Sequence, residues 1–225
     1  MLKKRLLIPI IIALMFFSVT TYAAERNNDK NSFYVGLSGI AGTGFEEYQL
    51  GQNDHGEEVE FYGGGGGLGG ILTLGFSPLD RVDFELSAGY QKYDDEEVPY
   101  TDVAFRRFIY LATLKFELIR FKSSNIKFGF GAGLYSEPRL KIEIETDEDY
   151  IQYDDAVGYH ALIEYEILFK KNWALTVGLK GYTVEYEAEE YRKNSTDQNV
   201  STLDEKLRDF NGDGLDLVVS VVKYF

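Results

Sequence analysis

In the segment Val82-Asp83-Phe84-Glu85-Leu86-Ser87-Ala88-Gly89-Tyr90, Val82, Phe84, Leu86, Ala88 and Tyr90 share one face, and Asp83, Glu85, Ser87 and Gly89 share the other. A period of two is the signature of a β-strand. Similar alternation recurs at about 33–42, 68–77, 107–118, 126–135, 157–169, 173–180 and 215–225. The links between these stretches run long, short, long, short, long, short, long. Pro78-Leu79-Asp80-Arg81, Lys122-Ser123-Ser124-Asn125 and Lys170-Lys171-Asn172 are the short ones, and each reads as a tight turn between antiparallel neighbours. No helical period follows the N-terminal segment.

Alternation leaves open which face is inside, and cost decides it. The polar face carries Asp83, Glu85, Arg107, Lys115, Glu117, Lys127, Glu164, Glu166, Lys180 and Asp216. A cation on the lipid face costs roughly 2–4 kcal/mol at the bilayer midplane, so in a membrane this face must point inward. A soluble barrel would do the reverse. The fold class that follows is all-β: an eight-stranded antiparallel up-and-down transmembrane β-barrel. Eight strands leave an interior about wide enough for side chains alone. The inward charges are therefore expected to interlock into a network that closes the barrel, since buried charges are costly when unpaired. Counting outward from the Lys122 turn puts Glu117 opposite Lys127, and cruder counts place Glu85 near Lys115 and Glu164 within diagonal reach of Lys180.

The chain opens with Lys3, Lys4 and Arg5, an apolar run from Leu6 to Val19, and the small-residue exit Thr21-Tyr22-Ala23-Ala24. This pattern reads as a signal peptide over residues 1–23, leaving 24–225 as one barrel domain. A transmembrane helix is the weaker reading, because the run falls short of roughly 20 residues and contains Pro9. Loss of Lys3, Lys4 and Arg5 takes the formal charge from −14 to −17. With no cysteine in an exported chain, burial rather than disulfides must supply the stability.

The signal segment, the eight alternating stretches and the terminal Phe225 together resemble the small outer-membrane barrels of the OmpA, OmpX and OmpW type. The resemblance spans the whole mature chain. Its members end in a strand with apolar or aromatic residues at alternate positions up to a final Phe, read by the barrel assembly machinery. Leu215, Leu217, Val219, Val221 and Phe225 fit that pattern, whereas Lys223 and Tyr224 depart from it. The resemblance implies residence in the bacterial outer membrane among its lipids. It implies either a structural or surface-interaction role with an extracellular or host partner, or a narrow pore for small hydrophobic molecules.

Few motifs point to chemistry. Asp209-Phe210-Asn211-Gly212-Asp213-Gly214 matches the start of a calcium loop, making Asp209, Asn211 and Asp213 candidate metal ligands. The twelfth position is Ser220 rather than Glu, so a turn leading into the last strand is the stronger reading. His55 falls in the first long loop. His160 projects from the sixth strand into the barrel without a neighbouring serine on its face, which favours hydrogen bonding over catalysis. Gly63–Gly67 lacks the Lys-Ser or Lys-Thr of a phosphate loop. It reads as a flexible lead into the second strand, or as a thin, poorly paired wall through which an apolar solute could leave. The four long loops hold about 28 of the 37 acidic residues. Such a rim disfavours nucleic acid and invites bridging by calcium or magnesium. The expectation is a non-enzymatic protein without a cofactor.

Overall fold

The computed structural model describes residues 32–52, 58–62, 66–95, 101–144, 147–170 and 172–225. The signal segment, His55 and Gly63–Gly65 lie outside the described residues. Fourteen strands are present among the described residues: β1 (Ser32–Gly44), β2 (Glu47–Gln52), β3 (Glu58–Tyr62), β4 (Gly67–Leu79), β5 (Val82–Asp95), β6 (Thr101–Arg120), β7 (Ser124–Ile144), β8 (Asp147–Tyr153), β9 (Ala156–Lys170), β10 (Trp173–Thr183), β11 (Glu185–Lys193), β12 (Thr196–Gln198), β13 (Asp209–Asn211) and β14 (Gly214–Tyr224). Eight of them, β1, β4, β5, β6, β7, β9, β10 and β14, pair antiparallel in that order. The circle closes where the first strand meets the last, from Tyr34 opposite Tyr224 to Gly44 opposite Gly214.

The outer face is apolar. Phe33, Leu37, Leu72, Leu86, Phe130 and Ile163 are exposed there, whereas Asp83, Lys127, Glu166 and Asp216 are buried inside. Aromatic side chains stand at both ends of the belt: Tyr90, Phe108, Tyr110 and Tyr159 toward the long links, and Phe33, Phe121, Trp173 and Phe225 toward the tight turns. Amphipathic rings favour such interfaces. A charged interior inside an apolar belt is stable only with lipid outside.

The long links are not simple loops. The first holds the β2–β3 hairpin. The third and fourth supply β8, β11, β12, β13 and a four-residue helix, α1 (Glu205–Arg208), whose first turn is capped by Asp204 Oδ1 accepting from Lys206 N. Strands β6 and β7 run 20 and 21 residues, about twice what a membrane crossing needs, and their outer halves carry β8, then β11, then β12.

A bulge at Glu137-Pro138 makes this extension possible. Up to Tyr135 the odd-numbered residues of β7 face inward, but from Pro138 onward the even ones do, and Leu140 and Ile142 become buried. The ladder with β6 slips correspondingly, from Phe108 opposite Ser136 to Arg106 opposite Arg139, and Glu137 adopts φ 50°. One extra residue thus changes which face of the strand is apolar.

The described part of the glycine-rich wall, from Gly67 onward, is paired on both sides. Gly67–Gly70 ladder with Gly42–Gly39 on one side, and Leu68–Gly70 with Lys92–Tyr90 on the other. Gly67 has φ +109°, and a Cβ there would stand 2.2 Å from the Lys92 carbonyl oxygen. Only glycine allows that approach.

Candidate functional site

The barrel interior is built in layers, each drawn from inward positions of several strands. Nearest the tight turns, Lys127 Nζ stands 2.9 Å from Asp83 Oδ2 and 3.0 Å from Glu166 Oε2. Ser77 donates to Asp83 at 2.6 Å, Asn125 donates to Glu166 at 3.0 Å, and the Tyr224 hydroxyl also donates to Glu166. At the rim, Arg120 holds Glu117 and reaches Asp80 at 2.9 Å. Glu117 and Lys127 do face each other in the ladder. Their ion pairs nevertheless go elsewhere, because the long lysine stem crosses the lumen and Arg120 lies three residues from Glu117.

In the middle layer, Lys115 Nζ bridges Glu85 at 2.8 Å and Glu164 at 2.7 Å. The Tyr34 hydroxyl donates to Glu85 at 2.8 Å. Glu164 therefore pairs with Lys115 rather than with Lys180. Hydroxyl pairs fill the remaining contacts: Ser38 with Ser220, and Thr73 with Ser87, each at 2.8 Å. His160 Nε2 lies 2.9 Å from Thr113 Oγ1. The space left among these groups is a cavity of about 60 Å³, room for a few ordered waters.

Above it, Lys180 Nζ lies 2.8 Å from Asp216 Oδ2, an ion pair without hydrogen-bond alignment. Gln91 donates to Asp216 at 3.0 Å and accepts from Arg107 Nη2 at 2.7 Å. Arg107 also donates to the hydroxyls of Tyr182 at 2.8 Å and Tyr186 at 2.9 Å, and its guanidinium carbon is 4.9 Å from the ring centres of both Tyr135 and Tyr182. A fully buried cation is thus held by three neutral oxygens and two π-faces.

The outermost layer is apolar. Phe105, Leu140, Ile142, Ile151, Tyr153, Tyr186 and Phe210 pack into one buried cluster with Tyr48. Phe210 sits among the rings of Tyr48 at 4.9 Å, Tyr153 at 5.3 Å and Phe105 at 5.6 Å. Burial pushes the hydroxyls of Tyr48 and Tyr153 well above the usual tyrosine range.

Asp83, Glu85, Arg107, Lys115, Glu117, Lys127, Glu164, Glu166 and Lys180 therefore all face the interior, in separate layers rather than one cluster. Counting strand positions passes over Tyr34, Gln91, Asn125, Tyr182, Tyr186 and Tyr224, which complete the hydrogen bonds. A tyrosine on the polar face of an alternating strand is the available signal. Tyr224 shows its use: the residue that departs from the terminal pattern points inward to Glu166. Lys223 lies outside, 5.4 Å from the Trp173 ring and 5.0 Å from that of Phe225.

Asp209, Asn211 and Asp213 each have a partner within the chain. Asn211 Oδ1 accepts from Asp213 N at 2.9 Å, Asp213 Oδ1 accepts from Val184 N at 2.9 Å, and Asp209 pairs with Arg208 at 3.3 Å. The Asn211 and Asp213 oxygens thereby hold the turn leading into β14. Among the described residues no group of three or more His, Cys, Asp or Glu gathers as a metal site.

No protein-family model and no curated protein matches the chain. Solved structures do. Neisserial surface protein A (NspA) is 14% identical, with a TM-score of 0.50 over 86% of this chain and 97% of its own. Ail, the attachment invasion locus protein of Yersinia pestis, is 9% identical, with a TM-score of 0.52 over 88% of this chain and 100% of its own. In fold, the chain is a small eight-stranded outer-membrane β-barrel of the kind those two structures represent.

Proposed function

We propose that this protein is a non-enzymatic resident of the bacterial outer membrane, with a structural and surface-interaction role carried by the folded sheet outside the barrel. One observation supports it above others: the molecule joins a closed interior to a large ordered elaboration beyond its apolar belt. A cavity of about 60 Å³ among the ion pairs, with Arg107 and Phe210 stacked above it, argues against a route for a solute. A narrow pore for hydrophobic molecules is accordingly the weaker reading. Calcium or magnesium bridging of the rim draws no support from the side chains of Asp209, Asn211 and Asp213, since Asn211 and Asp213 accept from backbone N–H groups and Asp209 pairs with Arg208. The likeness in fold to proteins described as a surface protein and an attachment invasion locus protein is consistent with an extracellular or host-surface partner.

The test has two arms. Cysteines placed at Asp147 and Ser123 should label in intact cells only at Asp147, because long links face outward and short turns face the periplasm. Cells displaying the protein with 141–150 and 187–209 replaced by short turns should keep a folded barrel and lose adherence to host-cell surfaces. Equal adherence, together with unchanged envelope resistance to detergent, would refute the role.

A further inference from the structure

The outer face of the extended sheet is stratified by charge. Tyr90 and Phe108 pair at the top of the apolar belt, with ring centres 5.3 Å apart. One step farther out, Lys92 on β5 lies directly opposite Arg106 on β6, and Arg106 directly opposite Arg139 on β7. The next step holds Asp94, Ala104 and Lys141, and the one beyond it acids alone: Asp102 opposite Glu143, and Glu143 opposite Glu148. In a chain this acidic, three cations in direct cross-strand register are conspicuous, because like charges directly opposite each other destabilise a ladder.

Nothing in the described protein neutralises the centre of the row. Arg106 is exposed and bonds to no described residue. Its neighbours each hold one carboxylate, Lys92 with Asp94 at 2.7 Å and Arg139 with Glu137 at 2.9 Å. Lys92–Asp94 is an exposed pair and Arg139–Glu137 a half-exposed one, and such pairs contribute little and exchange for a stronger anion. Ladder spacing of about 4.8 Å sets the three cations across a width of roughly 10 Å. Planar guanidinium forks match phosphate oxygens bidentately.

We propose that Lys92, Arg106 and Arg139 form a binding row for the phosphate groups of phosphorylated glycolipid in the outer leaflet. The Tyr90–Phe108 pair lies beneath it, where headgroup gives way to acyl chain. The row stands at the one level of this surface where a lipid phosphate would meet it, and the acids nearest to it, Asp94 and Glu137, flank its two ends and leave Arg106 at its centre. The site rests on the outer-membrane placement proposed above.

The experiment uses the full folded chain in phosphatidylcholine nanodiscs, titrated with bis-phosphorylated lipid A or with the same lipid stripped of phosphate, and read by native mass spectrometry. Wild type should retain the phosphorylated lipid at least about tenfold more tightly than the stripped one. Arg106→Gln should weaken retention on the order of fivefold, and the combined Lys92→Gln, Arg106→Gln, Arg139→Gln change at least about tenfold. Arg192→Gln with Lys193→Gln should leave it unchanged. The row is overturned if wild type shows no phosphate preference, or if the control pair weakens binding as much as the row. Should the triple variant fail to fold, the single Arg106→Gln change decides alone, because Arg106 is exposed and bonds to no described residue. Equal displacement by millimolar inorganic phosphate would overturn the lipid assignment in favour of a free anion. A chain that enters no disc at all would instead refute the membrane placement.

Discussion

Lys127 shows what a single side chain does here. Its ammonium is shared by Asp83 and Glu166, both buried. Lys127→Met would leave two carboxylates facing one another with no cation between them, and breaking a buried pair in this way costs about 3–5 kcal/mol. Adding Asp83→Asn should recover at least about 1 kcal/mol of that loss, whereas adding Glu117→Ala should recover none, because Glu117 is held by Arg120. Urea unfolding in lipid vesicles measures both. Gly75 is a second sensitive point: a Cβ there would stand 2.0 Å from the Tyr34 ring. Gly75→Ala should cost about 1–3 kcal/mol by overpacking, and should also displace the Tyr34 hydroxyl from Glu85. A Gly75→Ala protein as stable as wild type would show that the ring can move aside without loss.

Among elements, β7 is the one whose two halves obey opposite rules. Below the bulge its inward residues are Lys127, Gly129, Gly131, Gly133 and Tyr135, and above it they are Leu140 and Ile142. Deleting Glu137 and Pro138 together should leave a strand of single parity, turning Leu140 and Ile142 outward and Lys141 inward. The expected result is a barrel that still resists denaturant, with 139–155 open to protease. Protection equal to wild type would mean that the extension does not depend on the bulge. The eight barrel strands were legible because each keeps one parity across the membrane. The extension was only partly so: Leu140, Ile142 and Ile144 announce a strand, but nothing in Glu137-Pro138 announces the switch of face. Val184, Tyr186 and Ala188 alternate with Glu185, Glu187 and Glu189, a period of two hidden by the acids around it, whereas Phe210 is a single apolar residue without a period to read. The inward charges were legible as a set. Their pairing was not, because register fixes Cα neighbours while a lysine stem reaches across the lumen.

For the whole molecule, ion-paired layers from Lys127 upward and the ring cluster around Phe210 fill the interior among the described residues. Purified protein in planar bilayers is expected to show no steady ionic current, and a large, stable open-channel current would overturn the closed interior. The outermost layer also has a bearing on the order of assembly. Its side chains come from Tyr48, Phe105, Leu140, Ile151, Tyr186 and Phe210, spread across most of the sequence and brought together by neighbouring strands of a completed circle. Contacts so distant along the chain form late. The apolar cluster therefore cannot assemble ahead of the barrel, and a chain whose first and last strands have not met would present its surface face unformed. Outside the cell, a correctly shaped surface would then signal that closure in the membrane is complete.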